Sequence, residues 1–293
     1  MSCSRERYKR FRRVERVLRR AHVPRAASDW LAWPIVGYGF RLRGEEAEFE
    51  VDGMKLVAPR KFLSAYFQTS YEPELITWLQ RKLRPGSVVI DAGAHVGYLS
   101  IVMAKLVGDD GHIFAIEPAL ENVEHLSRNV RANNLGNVDI LPIALADHPG
   151  IATFNINESS DSFSFFEHPN TATVSTRWVP VMSIDSIFSE ASLPRLDLIK
   201  IDVEGAELEV LTGLAATLDR FPHVPLVVEW FPAAYAGRGI DSAALPRRLL
   251  ELGCSVSLLD AFEGAPSTVD AVLQALGNHG LRRAWYCNLL AQR

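Results

Sequence analysis

The sequence predicts an α/β fold, doubly wound around a mostly parallel sheet. Three observations carry that expectation. Short apolar runs rich in Val and Ile alternate with segments of helical period from Glu72 onward. A glycine-bearing turn, VVIDAGAHVGYLS (Val88–Ser100), follows the first strong strand directly. Acidic residues then recur where later strands end, at Glu117, Asp202 and Glu229. The 293 residues, 48% hydrophobic and 23% charged, can bury a full core in one large domain or two small ones.

Taken in order, FEVDGMKLV alternates around Asp52-Gly53 and predicts a hairpin over Glu48–Val57, a small antiparallel prelude. A helix is expected over Glu72–Leu83, a strand at Val88–Ile90, a helix from Gly97 to Leu106 and a strand at His112–Ile116. A helix from about Asn122 to Asn133 and a strand at Val138–Pro142 follow. Between Ile151 and Val181 the rhythm breaks, where ATFNI and RWVPV read as two extra strands around a polar, aromatic loop. It resumes with LDLIKID, a helix from Glu204 to about Leu214, VPLVVEW, a helix over Ala243–Leu252, SVSLL and a last strand, AWYCNLL. An N-terminal accessory region (1–57) and a main domain (58–293) are thus expected.

A net charge of −4 argues against general binding of nucleic acid. Its distribution is uneven, because Met1–Arg25 holds ten Lys or Arg against two Glu and leaves the remainder at −12. With Phe11, Val14 and Val17 or Leu18 at helical spacing, this stretch predicts a short basic amphipathic helix ended by Pro24. It would rest weakly on an anionic membrane or simply be solvated. The apolar run Trp30–Phe40 is about half of what a bilayer crossing needs. Cys3, Cys254 and Cys287 form no C-x-x-C pair, which points to a reducing, cytoplasmic setting without structural zinc.

The turn after Val88–Ile90 is the main chemical clue. Glycine belongs where backbone approaches a ligand, and the helix that follows offers amides and a positive dipole end. Glu117, at the next strand end, suits the two hydroxyls of a ribose. The turn lacks the central glycine of a dinucleotide fingerprint, with His95 in that neighbourhood, and has no G-K-[ST] of a P-loop. A nucleoside carrying a small zwitterion remains, which describes S-adenosylmethionine (SAM). An NAD(P)-dependent oxidoreductase is the rival reading.

Collinear stretches carry a resemblance: YEPEL, RPGSVVIDAGAHVGYLS, IFAIEP with Asn122 and Asn133 after it, PIALAD, VMSIDSI and LIKIDVEGAELEVLTG. From about Glu72 to Glu229 the chain resembles the FkbM family of SAM-dependent methyltransferases. The resemblance implies the Rossmann-like fold of class I methyltransferases, a seven-stranded sheet whose last strand is antiparallel. It also implies that backbone from Gly93 through Ala94 to Gly97, at the end of the strand bearing Asp91, lies along the methionine of SAM. Glu117, with Pro118 after it, would take the ribose, Asp147 would lie near the adenine amino group, and Glu72 would help to hold the ammonium. Family members more often carry Asn where His95 stands.

Methyl transfer to a hydroxyl needs alignment and a proton acceptor. IKIDVEGAE supplies Asp202 and Glu204, and VVEW supplies Glu229, three acids expected at one mouth. One of the first two would act as base with Glu229 orienting the acceptor; a helix-starting role for Glu204 and a shared divalent cation are the alternatives, and no metal is expected. His95 is a further base candidate or a packing residue, and Asp185 is expected to cap a short helix. Ser162–Phe166 would face a sugar or polyketide-like hydroxyl acceptor or close as a lid, with Tyr235 and Arg238 as the other wall. A chain that keeps the fold without catalysis and docks to a membrane is the reading from another class; the intact acids oppose it.

Overall fold

The computed structural model describes residue 13 and residues 40–43, 45–60, 72–157, 163–166, 173–189, 193–259 and 286–293. The expected basic helix, and with it the expected membrane contact of residues 1–25, lies outside the described residues apart from Arg13. Among the described residues, no helix is long and apolar enough to cross a membrane.

The described chain opens with a three-stranded antiparallel sheet, β1 (Phe40–Arg43), β2 (Glu46–Val51) and β3 (Met54–Pro59). Asp52 and Gly53 both adopt positive φ, 50° and 75°, the type I′ geometry that Asp-Gly favours in a two-residue hairpin. Strand alternation turns Ala47, Phe49, Val51, Met54, Leu56 and Ala58 to one face. That face packs with Leu75, Trp78 and Leu79 into the main core.

The central unit then runs α1 (Pro73–Lys82), β4 (Val88–Ala92), α2 (Tyr98–Val107), β5 (His112–Ile116), α3 (Leu120–Ala132) and β6 (Val138–Leu141). Where two extra strands were expected between Ile151 and Val181, three lie among the described residues, β8 (Gly150–Asn157), β9 (Phe163–Ser164) and β10 (Thr173–Met182), and with β7 (Ala144–Leu145) before them they form a second sheet in the order β7-β10-β8-β9. The chain returns through α4 (Ile184–Phe188), β11 (Leu198–Ile201), α5 (Glu207–Thr212), α6 (Ala215–Arg220), β12 (Leu226–Trp230), α7 (Pro232–Gly237), α8 (Ala244–Glu251), β13 (Ser255–Leu258) and β14 (Cys287–Gln292). The main sheet has the order β13-β14-β12-β11-β4-β5-β6, with β14 antiparallel to both of its neighbours. This is the doubly wound, seven-stranded fold that the sequence predicts, and its order reverses between β4 and β11.

The helix expected from Glu204 to about Leu214 starts instead at Glu207 and ends at Thr212, and after a break at Gly213 a further helix, α6, follows that was not expected. A Cβ at Gly213 would stand 2.3 Å from the Ala146 carbonyl oxygen, so the break sits where backbones touch. Asp185 accepts the amides of Ala216 and Thr217 and so caps α6. The capping of its own helix, α4, falls to Ser183, in a reciprocal box with Ser186.

The β2–β3 hairpin is tied on by two asparagines one turn apart, Asn129 on α3 and Asn133 at its C-terminal cap. The Asn129 amide accepts from Val57 N (2.6 Å) and donates to Val57 O (2.9 Å), and Asn133 does the same with Lys55. Helix positions four apart advance about 6 Å and strand positions two apart about 6.8 Å, so side-chain amides act as a neighbouring strand. Asn129 also donates to Val96 O, in the glycine turn.

Candidate active site

Alternation along the central strands builds one polar row. On one face Val89, Leu198, Val227 and Leu290 pack in the same core with α1, α2 and α3. Two residues further along the same face of each strand stand Asp91, Lys200, Glu229 and, on the antiparallel β14, Asn288. The register pairs Lys200 with Asp91 and Glu229 with Asn288. The row therefore crosses the sheet where its order reverses, the position at which doubly wound sheets bind ligands.

Lys200 is the hub of this row. Its side chain is 5% exposed and its ammonium lies 3.1 Å from Asp202 and 3.4 Å from Asp91. It also donates to the Gly93 carbonyl at 3.4 Å. Burial works against its charge, but the carboxylates of Asp202, Asp91 and Glu72 outweigh that and raise its pKa. Asp91 is fully buried inside β4 and accepts from Ser100 Oγ at 2.5 Å, so it steadies the turn from beneath. Glu72, at the start of α1 with φ 43°, accepts from Asn288 Nδ2 at 3.0 Å.

The glycine turn is closed on itself. The amides of Gly93 and Ala94 both donate to Ile116 O, that of Gly97 to Ala94 O, and that of His95 to Glu117 Oε2 at 2.9 Å. Four donors that a phosphate would need are thus engaged, which argues against a pyrophosphate nest. Gly93 has φ 82° and lies against Asp202 backbone, while Gly97 has φ 90° and lies against Leu126.

Glu117 Oε1 accepts from Ala119 N and Asn122 Nδ2, so with His95 N three of its roughly four acceptor positions are filled. One position on Oε2 remains. Burial raises its pKa to about 7, against the lowering effect of those donors. A folded-state value above the unfolded one gives stability fully present below pH 4.5 and lost as pH rises through about 7. On this account unfolding free energy falls by about 3 kcal/mol between pH 4.5 and 8. Urea denaturation across that range should show the slope, with Glu117→Gln flattening it; equal slopes would remove Glu117 as the cause.

The acidic turn after β11 is held under strain. Glu204, expected to begin a helix, adopts φ 55°, and Gly205 follows at 97°. A non-glycine residue there costs about 1–2 kcal/mol. The buried Glu207 carboxylate restrains the turn by accepting Val203 N (3.2 Å) and Gly205 N (3.0 Å), and its other oxygen accepts from Tyr235 OH at 2.5 Å. Burial raises the pKa of both Glu207 and Tyr235. Tyr235, expected as an acceptor wall, is fully buried and acts as a strut instead.

Glu72, Asp202 and Glu229 each bring one carboxylate oxygen within 4.8 Å of the others, near enough to share one cation. Lys200 already offers Asp202 a positive charge. The pKa of Glu229 is pushed well above the carboxylate range, first by burial and then by Asp202, Glu204, Glu72 and Glu207. His95 sits in the turn at φ 52°. Asp147 is exposed and paired with His148, and its backbone lies against Gly213. Pro118 lines a small cavity with Ala119, Leu120, Pro142, Phe154 and Trp178. Of the sequence-predicted residues, Glu72, Asp91, Gly93, Asp202 and Glu229 meet in the row, Ala94, His95, Gly97 and Glu117 frame the turn, and Asp147 stays at the surface. Sequence reasoning missed Lys200, Asn288, Ser100 and Glu207; a polar residue inside LIKI or CNLL is the signal that marks the first two.

Residues 91–281 match the Methyltransferase FkbM domain. The chain is 30% identical over 174 residues to Methyltransferase sdnD of Sordaria araneosa, covering 50% of this chain and 67% of that one. It is 25% identical over 154 residues to the hexuronic acid methyltransferase AglP of Haloferax volcanii, covering 50% and 58%. A 76-residue stretch is 34% identical to a Protein-L-isoaspartate O-methyltransferase of Ignicoccus hospitalis, covering 25% and 36%. The chain thus spans between 36% and 67% of the length of these relatives. Among solved structures, Aeropyrum pernix fibrillarin with bound S-adenosyl-L-methionine aligns at TM-score 0.40 and 10% identity, over 87% of this chain and 98% of that one. The match to the FkbM domain takes in the glycine turn, Glu117, Asp202, Glu204 and Glu229, and the chain belongs to the FkbM family of SAM-dependent methyltransferases.

Proposed function

We propose that the protein transfers a methyl group from SAM to a hydroxyl oxygen of a sugar or polyketide-like acceptor. The observation that carries this reading is the convergence of Glu72, Asp202 and Glu229 beside the glycine turn. SAM supplies an electrophilic methyl carbon on a sulfonium. The residues present suit such a ligand, because the turn's amides are spent internally while carboxylates surround it, an environment for a cation rather than a pyrophosphate. The open position on Glu117 Oε2 would accept a ribose hydroxyl, and the apolar slot past Pro118 and Pro142 would take the adenine. Asp91 and Lys200 serve by fixing the turn from below.

On the acceptor side, Asp202 takes the hydroxyl proton as base. Burial and the neighbouring acids raise the pKa of Glu229 and favour its protonated form, which donates a hydrogen bond that orients the acceptor. The sugar class draws on the printed substrate of AglP, a hexuronic acid, and the polyketide class on the family resemblance. Calorimetric titration of SAM and NADH, followed by mass analysis of methyl hexopyranosides and a hydroxylated macrolactone incubated with SAM, tests the proposal. Saturable SAM binding and a gain of one methyl on oxygen are expected. NADH binding without SAM binding would replace it with the oxidoreductase reading.

A further inference from the structure

Arg238, just past α7, joins three elements that are distant in sequence. Its guanidinium carbon lies 3.4 Å from the centroid of the Phe166 ring, stacked on its face. One edge nitrogen donates to the Gly205 carbonyl at 2.5 Å, and another pairs with Glu209. A planar guanidinium can stack and hydrogen-bond at once, which an ammonium cannot. With its side chain 14% exposed, this pair is not a solvated surface bridge.

The contacts continue inward on the other side. Phe166 meets Phe165 edge-on at 6.3 Å, and Phe165 meets Phe154 at 5.2 Å. Phe154 is buried with Ala144, Val179 and Val181 in the core of the second sheet. An unbroken path of rings therefore runs from that core, through one arginine, to the strained peptide beside Glu204. The glycine turn and Glu117 are held by separate groups: Ile116, Asn122, Asn129, Ser100 and Lys200.

We propose that Arg238 is a positioning residue that clasps the aromatic segment Phe165–Phe166 to the Glu204–Gly205 turn and so completes the wall that recognises the acceptor, leaving donor binding untouched. The recognition half of this inference rests on the methyl-transfer reading; the clasp itself does not. Arg238→Gln removes the stack and both edge bonds, and Phe166→Leu removes the stack without altering charge.

Local opening, donor affinity and acceptor kinetics together decide it. In protein loaded with S-adenosylhomocysteine, chymotryptic cleavage after Phe165, and amide exchange at residues 163–166 and 203–205, should rise at least about tenfold in both variants. The SAM dissociation constant should stay within about threefold, and Phe166→Tyr should behave as wild type. With whichever methyl hexopyranoside or macrolactone is turned over, acceptor KM should rise about tenfold or more while kcat holds within about threefold. Unchanged cleavage and exchange in Arg238→Gln would overturn the clasp, and loss of SAM affinity in step with acceptor affinity would reduce it to general stability. A wild-type protein that methylates none of the acceptors defeats the methyl-acceptor reading, and cleavage and exchange still judge the clasp.

Discussion

Replacing Gly93 by alanine is expected to destabilise the protein by about 2–5 kcal/mol and to abolish binding of S-adenosylhomocysteine. Two costs combine. At φ 82° the residue occupies a region that L side chains avoid, and its Cβ would stand 1.7 Å from the Asp202 carbonyl oxygen and 2.8 Å from the carbonyl carbon. Those atoms are backbone, held by the Asp202 amide bond to Ala92 O and by the β4–β11 register. Relief requires the glycine turn and the acidic turn to part, and with them the Lys200 contacts that span both. Gly97→Ala is the comparison. There the Cβ would meet Leu126 Cδ1 at 2.4 Å, the end of a side chain that can rotate, so a smaller loss follows. Urea denaturation and calorimetric titration measure both. A Gly93→Ala protein within about 1 kcal/mol of wild type with unaltered affinity would mean that the two turns are not abutted as described.

Asp202→Asn should lower kcat by about 10²–10⁴-fold while leaving the SAM dissociation constant within about threefold. The substitution keeps shape and removes the charge that we propose takes the acceptor proton. Lys200 retains Asp91 as a partner, at 3.4 Å, so the row keeps an ion pair. Glu229→Gln should cost far less, about tenfold, because an amide keeps a hydrogen-bond donor where burial and neighbouring acids favour the protonated carboxyl. Single-turnover methyl transfer separates these effects from product release. An Asp202→Asn enzyme of undiminished rate would withdraw the base assignment.

Much of this was legible before any coordinates. The alternation from Glu72 onward anticipated the parallel sheet because strands buried on both faces are written as apolar runs, such as VVI, LIKI and LVV. Asp-Gly announced the hairpin through the φ values it tolerates. The second sheet was only half visible, since β10 is exposed along its first six residues and lacks an inward-facing stripe to read. Glu207 falls inside the helix expected from Glu204 with no role read for it, and Tyr235 is expected as part of a binding wall. Their bond joins residues 28 apart in the chain, and no local pattern records it.

The sequence by itself determined the order of elements, the turn at Gly93–Gly97 and the acids that end the strands, because periodicity and backbone conformation are written residue by residue. Only the tertiary structure decided which of those acids meet. Glu72 and Asn288, 216 residues apart, come together through sheet order and register. Lys200 faces Asp91 for the same reason. A charge inside a strand acquires its meaning from the strand beside it.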